Sequence, residues 1–328
     1  MNRGRATVKL EVMTRFARYA WWVLAFNLLV ILWGAFVRAS GSGAGCGAHW
    51  PLCNGVVVPH APALSTVIEL AHRITSAAAL ASVVALVVFA RRMFAARTPV
   101  RRAAHAAMGL IVTEALVGAG LVLLEMVARN TSIARGWWIS AHLVNTFLLL
   151  AALALTASLA SGARVPHLRG SGLTGAACAA LLLLALLLGV SGAITALGDT
   201  LFPAASLREG IAQDGNASAH AFVRLRVWHP LLAVAFAAVT LAITRSVTPA
   251  TRDSSARRWA NGCALLIVAQ LVLGATNLLT LAPVPLQLAH LLLADAVWIS
   301  LVLWAAAVLA LPRKETPASP ALLIYPSG

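Results

Sequence analysis

Four histidines lie where an imidazole is costly to keep. His72, His142, His229 and His290 each sit inside a long apolar stretch, close to one of its ends. An ionisable side chain in such surroundings is a functional residue by default. A neutral imidazole offers one lone pair to a metal, and two imidazoles facing each other across packed helices can hold one haem iron from both sides. The structural alternative is a histidine hydrogen-bonded to a neighbouring helix. Similar depth in four separate stretches, two in each half of the chain, favours iron ligation.

Other reactive groups cluster near these histidines. Glu69 precedes His72 by three positions, so both project from one helix face, with Arg73 beside them. Arg38, Arg73, Arg224 and Arg226 fall at the same ends of the apolar stretches as the histidines. Haem propionates would give these cations anionic partners. Snorkelling to lipid headgroups, or pairing with Glu69, Glu209 or Asp214, would satisfy them equally. Cys46 and Cys53 lie in a short loop containing Gly45, Gly47, Pro51 and Gly55. Outside the cytoplasm such a loop can bring the pair within bridging distance and keep it oxidised. A Cys/His metal site drawing on His49 or His60 is the weaker alternative. Cys178 and Cys263, in apolar segments, read as small buried hydrophobes, and His105 and His167 need no role.

The elements that must carry these residues are transmembrane helices. The 328 residues are 60% hydrophobic and 11% charged, against about 25% charged in a soluble domain. Eight apolar stretches, near 18–38, 66–90, 103–124, 138–161, 172–195, 219–244, 257–280 and 286–311, are long enough to cross a hydrocarbon core of roughly 30 Å. The first exceeds the ~7–15 apolar residues of a secretory signal, so it reads as a retained span. The net charge of +15 could suggest nucleic acid. However, the basic residues sit in short clusters between apolar runs, where the positive-inside rule puts them, and a nucleic-acid partner is set aside. Arg3, Arg5, Lys9, Arg15 and Arg18 precede the first stretch, and Arg91, Arg92, Arg97, Arg101 and Arg102 follow the second. Arg164 and Arg169 follow the fourth, Arg245, Arg252, Arg257 and Arg258 the sixth, and Arg313 and Lys314 the eighth. The connection 39–65 has no basic residue at all. Both termini are therefore expected in the cytoplasm, with the histidines near the outer face.

The two halves echo each other. Trp137-Trp138-Ile139-Ser140-Ala141-His142-Leu143 parallels Pro285-Leu286-Gln287-Leu288-Ala289-His290-Leu291, and Glu114 to Ala119 parallels Gln270 to Ala275. His72 precedes Gly118 by 46 positions, and His229 precedes Gly274 by 45. Four spans per half bring both halves in from the same side, so a parallel repeat is expected. The predicted fold is an all-α integral membrane protein of eight helices, arranged as two pseudo-symmetric four-helix bundles over 1–165 and 166–328.

These residues resemble haem A synthase, an eight-helix membrane enzyme that oxidises a methyl group of haem O to a formyl group. The resemblance rests on Gly34-Ala35-Phe36-Val37-Arg38-Ala39-Ser40-Gly41-Ser42-Gly43, on Cys46 to Cys53 with Trp50-Pro51-Leu52-Cys53-Asn54-Gly55, and on Glu69-Leu70-Ala71-His72-Arg73. His142, Arg224-Leu225-Arg226-Val227-Trp228-His229-Pro230 and Ala289-His290 complete it in the same order. It implies that His229 and His290 hold a haem b cofactor in the C-terminal bundle. His72 and His142 would hold or flank the substrate haem O in the other, with Glu69 as a catalytic group near the reacting edge. It further implies two successive hydroxylations of the haem C8 methyl, an electron donor not written in the sequence, haem O synthase as a partner, and a bacterial cytoplasmic or equivalent energy-transducing membrane. A transmembrane cytochrome b that only passes electrons, and a haem carrier or proton-relay transporter, would use the same histidines.

Overall fold

The computed structural model describes residues 2–167, 171–248 and 254–310, with side chains from residue 13 onward. Arg169, Arg252, Arg313 and Lys314 lie outside the described residues, as do the side chains of Arg3, Arg5 and Lys9. Among the described residues the chain is helical, with one isolated bridge between Cys53 and Val56 in place of any strand. The helices are α1 (Asn2–Ala39), α2 (Leu64–Met93), α3 (Pro99–Leu123), α4 (Ile133–Ala160), α5 (Gly172–Leu201), α6 (Leu207–Gly215), α7 (Ala221–Arg226), α8 (Trp228–Val247), α9 (Ser254–Leu279) and α10 (Val284–Leu309).

Eight segments are long and apolar enough to cross a membrane, counting Met13–Ala39 of α1 and Ala221–Val247 of α7 and α8 as one each. They follow from Leu/Ala/Val-rich runs whose prolines fall where a helix tolerates them. Pro99 opens α3, and Pro285 lies in the first turn of α10, where no intrahelical donor is lost. Ser132 caps α4 by accepting from the Arg135 N–H at 3.3 Å. Leu29, Leu116, Leu265, Val268 and Val272 are exposed around the perimeter. An apolar belt of this kind marks contact with lipid. The chain is an integral membrane protein.

Packing is densest on α4 and α10, the two most buried spans. They lie against each other, with the Phe147 and Trp298 rings stacked 5.3 Å apart and Trp298 Nε1 donating to the Phe147 carbonyl at 2.5 Å. α1 packs on α2, α4 and α10, and α5 packs on α4, α8 and α10. Helices from both halves of the chain therefore share one seam.

Two features depart from the sequence expectation. The sixth span, expected over 219–244, is broken at Val227 into α7 and α8. Pro230 has no N–H to give the Arg226 carbonyl four residues earlier, and its ring crowds that carbonyl, so the ladder opens there. The second is α6, an unforeseen helix in the connection before that span. Its start is capped from both sides: Ser206 Oγ accepts from Glu209 N–H at 3.2 Å, and Glu209 Oε2 reaches back to accept from Ala205 N–H, just before the cap, at 2.9 Å.

Candidate haem site

Each of the four histidines packs its ring on a glycine of the span before it in the chain. His72 sits on Gly34, His142 on Gly118, His229 on Gly192 and His290 on Gly274. The histidines occupy the second or third turn of spans that start at Leu64, Ile133, Ala221 and Val284, so all four lie toward the end that carries the Cys46–Cys53 loop. A Cβ on Gly34 would stand 2.8 Å from His72 Cε1, and one on Gly192 would stand 2.9 Å from His229 Cε1. At Gly118 the nearest atom, His142 Nε2, would be an ordinary 3.9 Å away. Gly192→Ala is therefore expected to push the His229 ring and weaken haem retention roughly 5- to 150-fold, the equivalent of ~1–3 kcal/mol of overpacking. Gly118→Ala should leave haem content unchanged. Haem measured per mole of purified protein checks both, and equal retention in the two variants would count against the seat.

The spacing of the second pair suits two imidazoles on one iron ion. The His229 and His290 ring centroids are 6.4 Å apart, with planes at 85°. Two metal–imidazole bonds of about 2 Å, plus the ring radii, place centroids roughly 6 Å apart across one ion. Hydrogen bonding also sets the tautomer of His229. Ser191 donates its hydroxyl proton to the Leu188 carbonyl at 2.7 Å, which leaves Ser191 Oγ to accept from His229 Nδ1 at 2.9 Å. The Nε2 lone pair of His229 is thereby left for a metal. His290 Nε2 lies 3.3 Å from Gln270 Nε2, while His290 Nδ1 and Gln270 Oε1 are buried with no hydrogen bond among the described residues.

The first pair sits beside a polar network between α3 and α4. His72 is within coulombic range of His142 and of Glu114. Glu114 Oε1 stands 3.0 Å from His142 Nδ1, although the approach is too oblique to count as a hydrogen bond. Glu114 accepts from Asn145 Nδ2 at 2.5 Å and from the Thr146 hydroxyl. Asn145 is itself fixed by Thr113 at 2.6 Å and by the Leu110 carbonyl at 2.8 Å. Sequence reasoning noted Glu114 only as part of the repeat. A carboxylate in mid-span was the available signal for a site residue.

Glu69 and Arg73 work on the loop. Cys46 and Cys53 form a disulfide, both fully buried, which takes the sulfurs that a Cys/His metal site would have needed. Three residues on one face of α2 hold the loop backbone. Thr66 Oγ1 donates to the Gly45 carbonyl at 2.7 Å, Glu69 accepts from Cys46 N–H at 2.8 Å, and Arg73 donates to the His49 and Leu52 carbonyls at 2.6 Å each. Arg73 also pairs with Glu69 at 2.5 Å. Gly45 passes so close to the backbone of Ser65 and Thr66 that no Cβ fits there. Both carboxylate oxygens of Glu69 are thus engaged, at the foot of the loop and one turn from His72. Replacing both cysteines with serine removes a closed loop worth about 2–3 kcal/mol of chain entropy. Proteolysis should then cut within 40–63 while helix content stays constant. Resistance equal to that of the unaltered protein would show that the α2 bonds alone hold the loop.

The remaining cations differ in how far the protein uses them. Arg38 reaches from α1 to α5 and α10, donating to the Ala196 carbonyl at 2.9 Å, Thr200 Oγ1 at 2.7 Å and Gln287 Oε1 at 3.1 Å. Arg226 is held by Asp214 at 2.5 Å, Asp199 at 3.3 Å and Gln213 at 3.2 Å. Arg224 is exposed, and among the described residues no acceptor reaches its guanidinium. Cys178 and Cys263 are buried free thiols.

A family model described as COX15-CtaA, cytochrome oxidase assembly protein, matches residues 17–302. That match runs through all eight spans and all four seated histidines. The chain belongs to this family. A protein named Protoheme IX farnesyltransferase, from Thermus thermophilus, is 48% identical over 302 residues, which are 92% of this chain and 50% of that protein. Its counterpart in a second strain of the same species is equally similar over the same shares. This chain therefore spans about half the length of those relatives. Shorter matches carry the name Heme A synthase. The Alkalihalophilus pseudofirmus protein is 43% identical over 96 residues, 29% of this chain and 32% of that one. The Halalkalibacterium halodurans protein is 38% identical over 127 residues, 39% of this chain and 42% of that one.

Proposed function

We propose that this chain is a haem A synthase: it binds haem O and oxidises its C8 methyl to a formyl group by two successive hydroxylations, the resulting gem-diol losing water. The observation that carries this reading is the set of four glycine-seated imidazoles at one end of the bundle, with two of them at a spacing that suits a single iron. Family membership and the relatives named Heme A synthase support it.

In this reading His229 and His290 hold haem b, with Ser191 fixing the tautomer of the first. His72 and His142 ligate or flank haem O. Haem b, when bound, supplies the one-electron chemistry that an apolar helical protein lacks. The chain's own residues orient the substrate and keep water out. Arg224 is the open cation for a propionate at the rim, with Arg73, Arg38 and Arg226 already engaged. Glu69 holds the disulfide loop over the His72 end of α2 and, one turn from that histidine, is the catalytic group near the reacting edge. The division into bundles over 1–165 and 166–328 is supported by the matched contacts of the seam. α1 lies on α4 and α10, as α5 lies on α10 and α4.

Orientation follows from the basic clusters, with both termini in the cytoplasm and the histidines toward the outer face. Membrane lipid, an electron donor and haem O synthase are the partners this implies. The Thermus relatives, twice as long and named for farnesyl transfer to protohaem, support a close association with the enzyme that farnesylates the substrate.

Extraction and chromatography of the bound haems, after incubation with haem O, a reductant and dioxygen, tests the proposal. Haem A is the expected product. Bound haem b without haem A would leave the electron-passing cytochrome. A farnesylated product from protohaem and farnesyl diphosphate would assign the chain to farnesyl transfer instead.

A further inference from the structure

Equivalent positions on α3 and α9 carry different groups. Glu114 lies one turn before Gly118, the seat of His142, and Gln270 lies one turn before Gly274, the seat of His290. Each side chain faces the histidine on its partner span: Glu114 Oε1 is 3.0 Å from His142 Nδ1, and Gln270 Nε2 is 3.3 Å from His290 Nε2. Among the described residues, no carboxylate makes an ion-pair contact with either of the other two histidines. Ser191 serves His229, and His72 Nδ1 is buried without a hydrogen bond among the described residues.

We infer that Glu114 is a positioning residue that acts through His142, making the N-terminal iron site the electron-rich one of the two. This rests on the ligation reading above and deepens it. A carboxylate beside the Nδ1–H of a ligating imidazole fixes the tautomer, presents Nε2 to the metal and raises the basicity of the ligand. A neutral amide does none of this to the same degree. The Glu114 carboxylate is fixed by its neighbours. Asn145 Nδ2 and the Thr146 hydroxyl both donate to it, and Asn145 is braced in turn by Thr113 and the Leu110 carbonyl. These bonds hold the carboxylate against α4, with Oε1 3.0 Å from His142 Nδ1. A more basic ligand favours the oxidised iron and lowers its potential.

The test is Glu114→Gln in a protein whose His229 and His290 are both alanine, so that only the N-terminal pair can ligate, loaded with hemin alone. A spectroelectrochemical titration reads the midpoint potential of that haem. The expected result is a shift to more positive potential with the same low-spin band. An unchanged potential with haem bound overturns the inference and leaves the ligation reading standing. Failure of hemin to give a low-spin band in the unsubstituted Glu114 background overturns both. Glu114→Gln in the otherwise intact protein should retain the haem at His229 and His290, which checks the fold. Glu114→Asp and Glu114→Ala in the same double-alanine background supply a second arm. The retracted carboxylate should leave the potential below that of the alanine variant, and equal potentials would overturn the inference even if Glu114→Gln fails to assemble.

Discussion

Alanine at His229 or His290 is expected to abolish binding of the haem b proposed for that pair. The two rings stand 6.4 Å apart on α8 and α10, and each would supply one of the two axial bonds. Loss of an outer partner of a metal ligand already costs about 10–100-fold in affinity, so loss of the ligand itself should exceed that. Iron left with one imidazole also cannot keep a six-coordinate low-spin state. The measurement is haem content by pyridine haemochrome together with the visible spectrum. His105→Ala is the control. That histidine sits at the opposite end of the membrane, held by Arg91 Nε at 2.9 Å and the Arg101 carbonyl at 2.5 Å, and its variant should retain full haem. Unchanged low-spin spectra and stoichiometric haem in both His229→Ala and His290→Ala would remove the pair from the site.

Glu69→Gln is expected to stop haem A from accumulating while the haem at His229 and His290 stays in place. The substitution preserves shape and one acceptor, so Cys46 N–H can still be satisfied. What disappears is the charge that pairs with Arg73, between side chains 4% and 12% exposed. Breaking a buried pair by removing one partner costs about 3–5 kcal/mol, and the surviving hydrogen bonds should keep this case near the lower figure. The strain falls on the disulfide loop, since Arg73 also carries the His49 and Leu52 carbonyls. Haem O or a partly oxidised intermediate should therefore replace haem A, and amide exchange in 45–56 should accelerate. Lost product with unchanged exchange would move Glu69 from holding the loop to touching the substrate. Normal haem A from a folded variant would deny it either role.

Apolar runs, basic clusters and histidine placement made the eight spans, the membrane and the four candidate ligands legible without coordinates. These are properties that the bilayer imposes on any sequence, since a helix satisfies its own backbone and a charge in hydrocarbon needs a reason. The disulfide was legible too, because a seven-residue separation in a glycine-containing loop is a local matter. What the sequence could not settle was which partner each polar group chose. Arg38, Arg73 and Arg226 had lipid, carboxylate and propionate open to them; the tertiary arrangement gave Arg38 to α5 and α10, Arg73 to the loop and Arg226 to Asp214. Glu69 accepts from Cys46 N–H because α2 passes beneath the loop, a contact that its position three residues before His72 did not announce. The glycine seats and the Glu114–His142 approach join residues far apart in the chain, through helix contacts that no periodicity encodes. Spans and their contents are set by the local contest between chain and solvent, whereas partners are set by which helices touch. Only packing decides that.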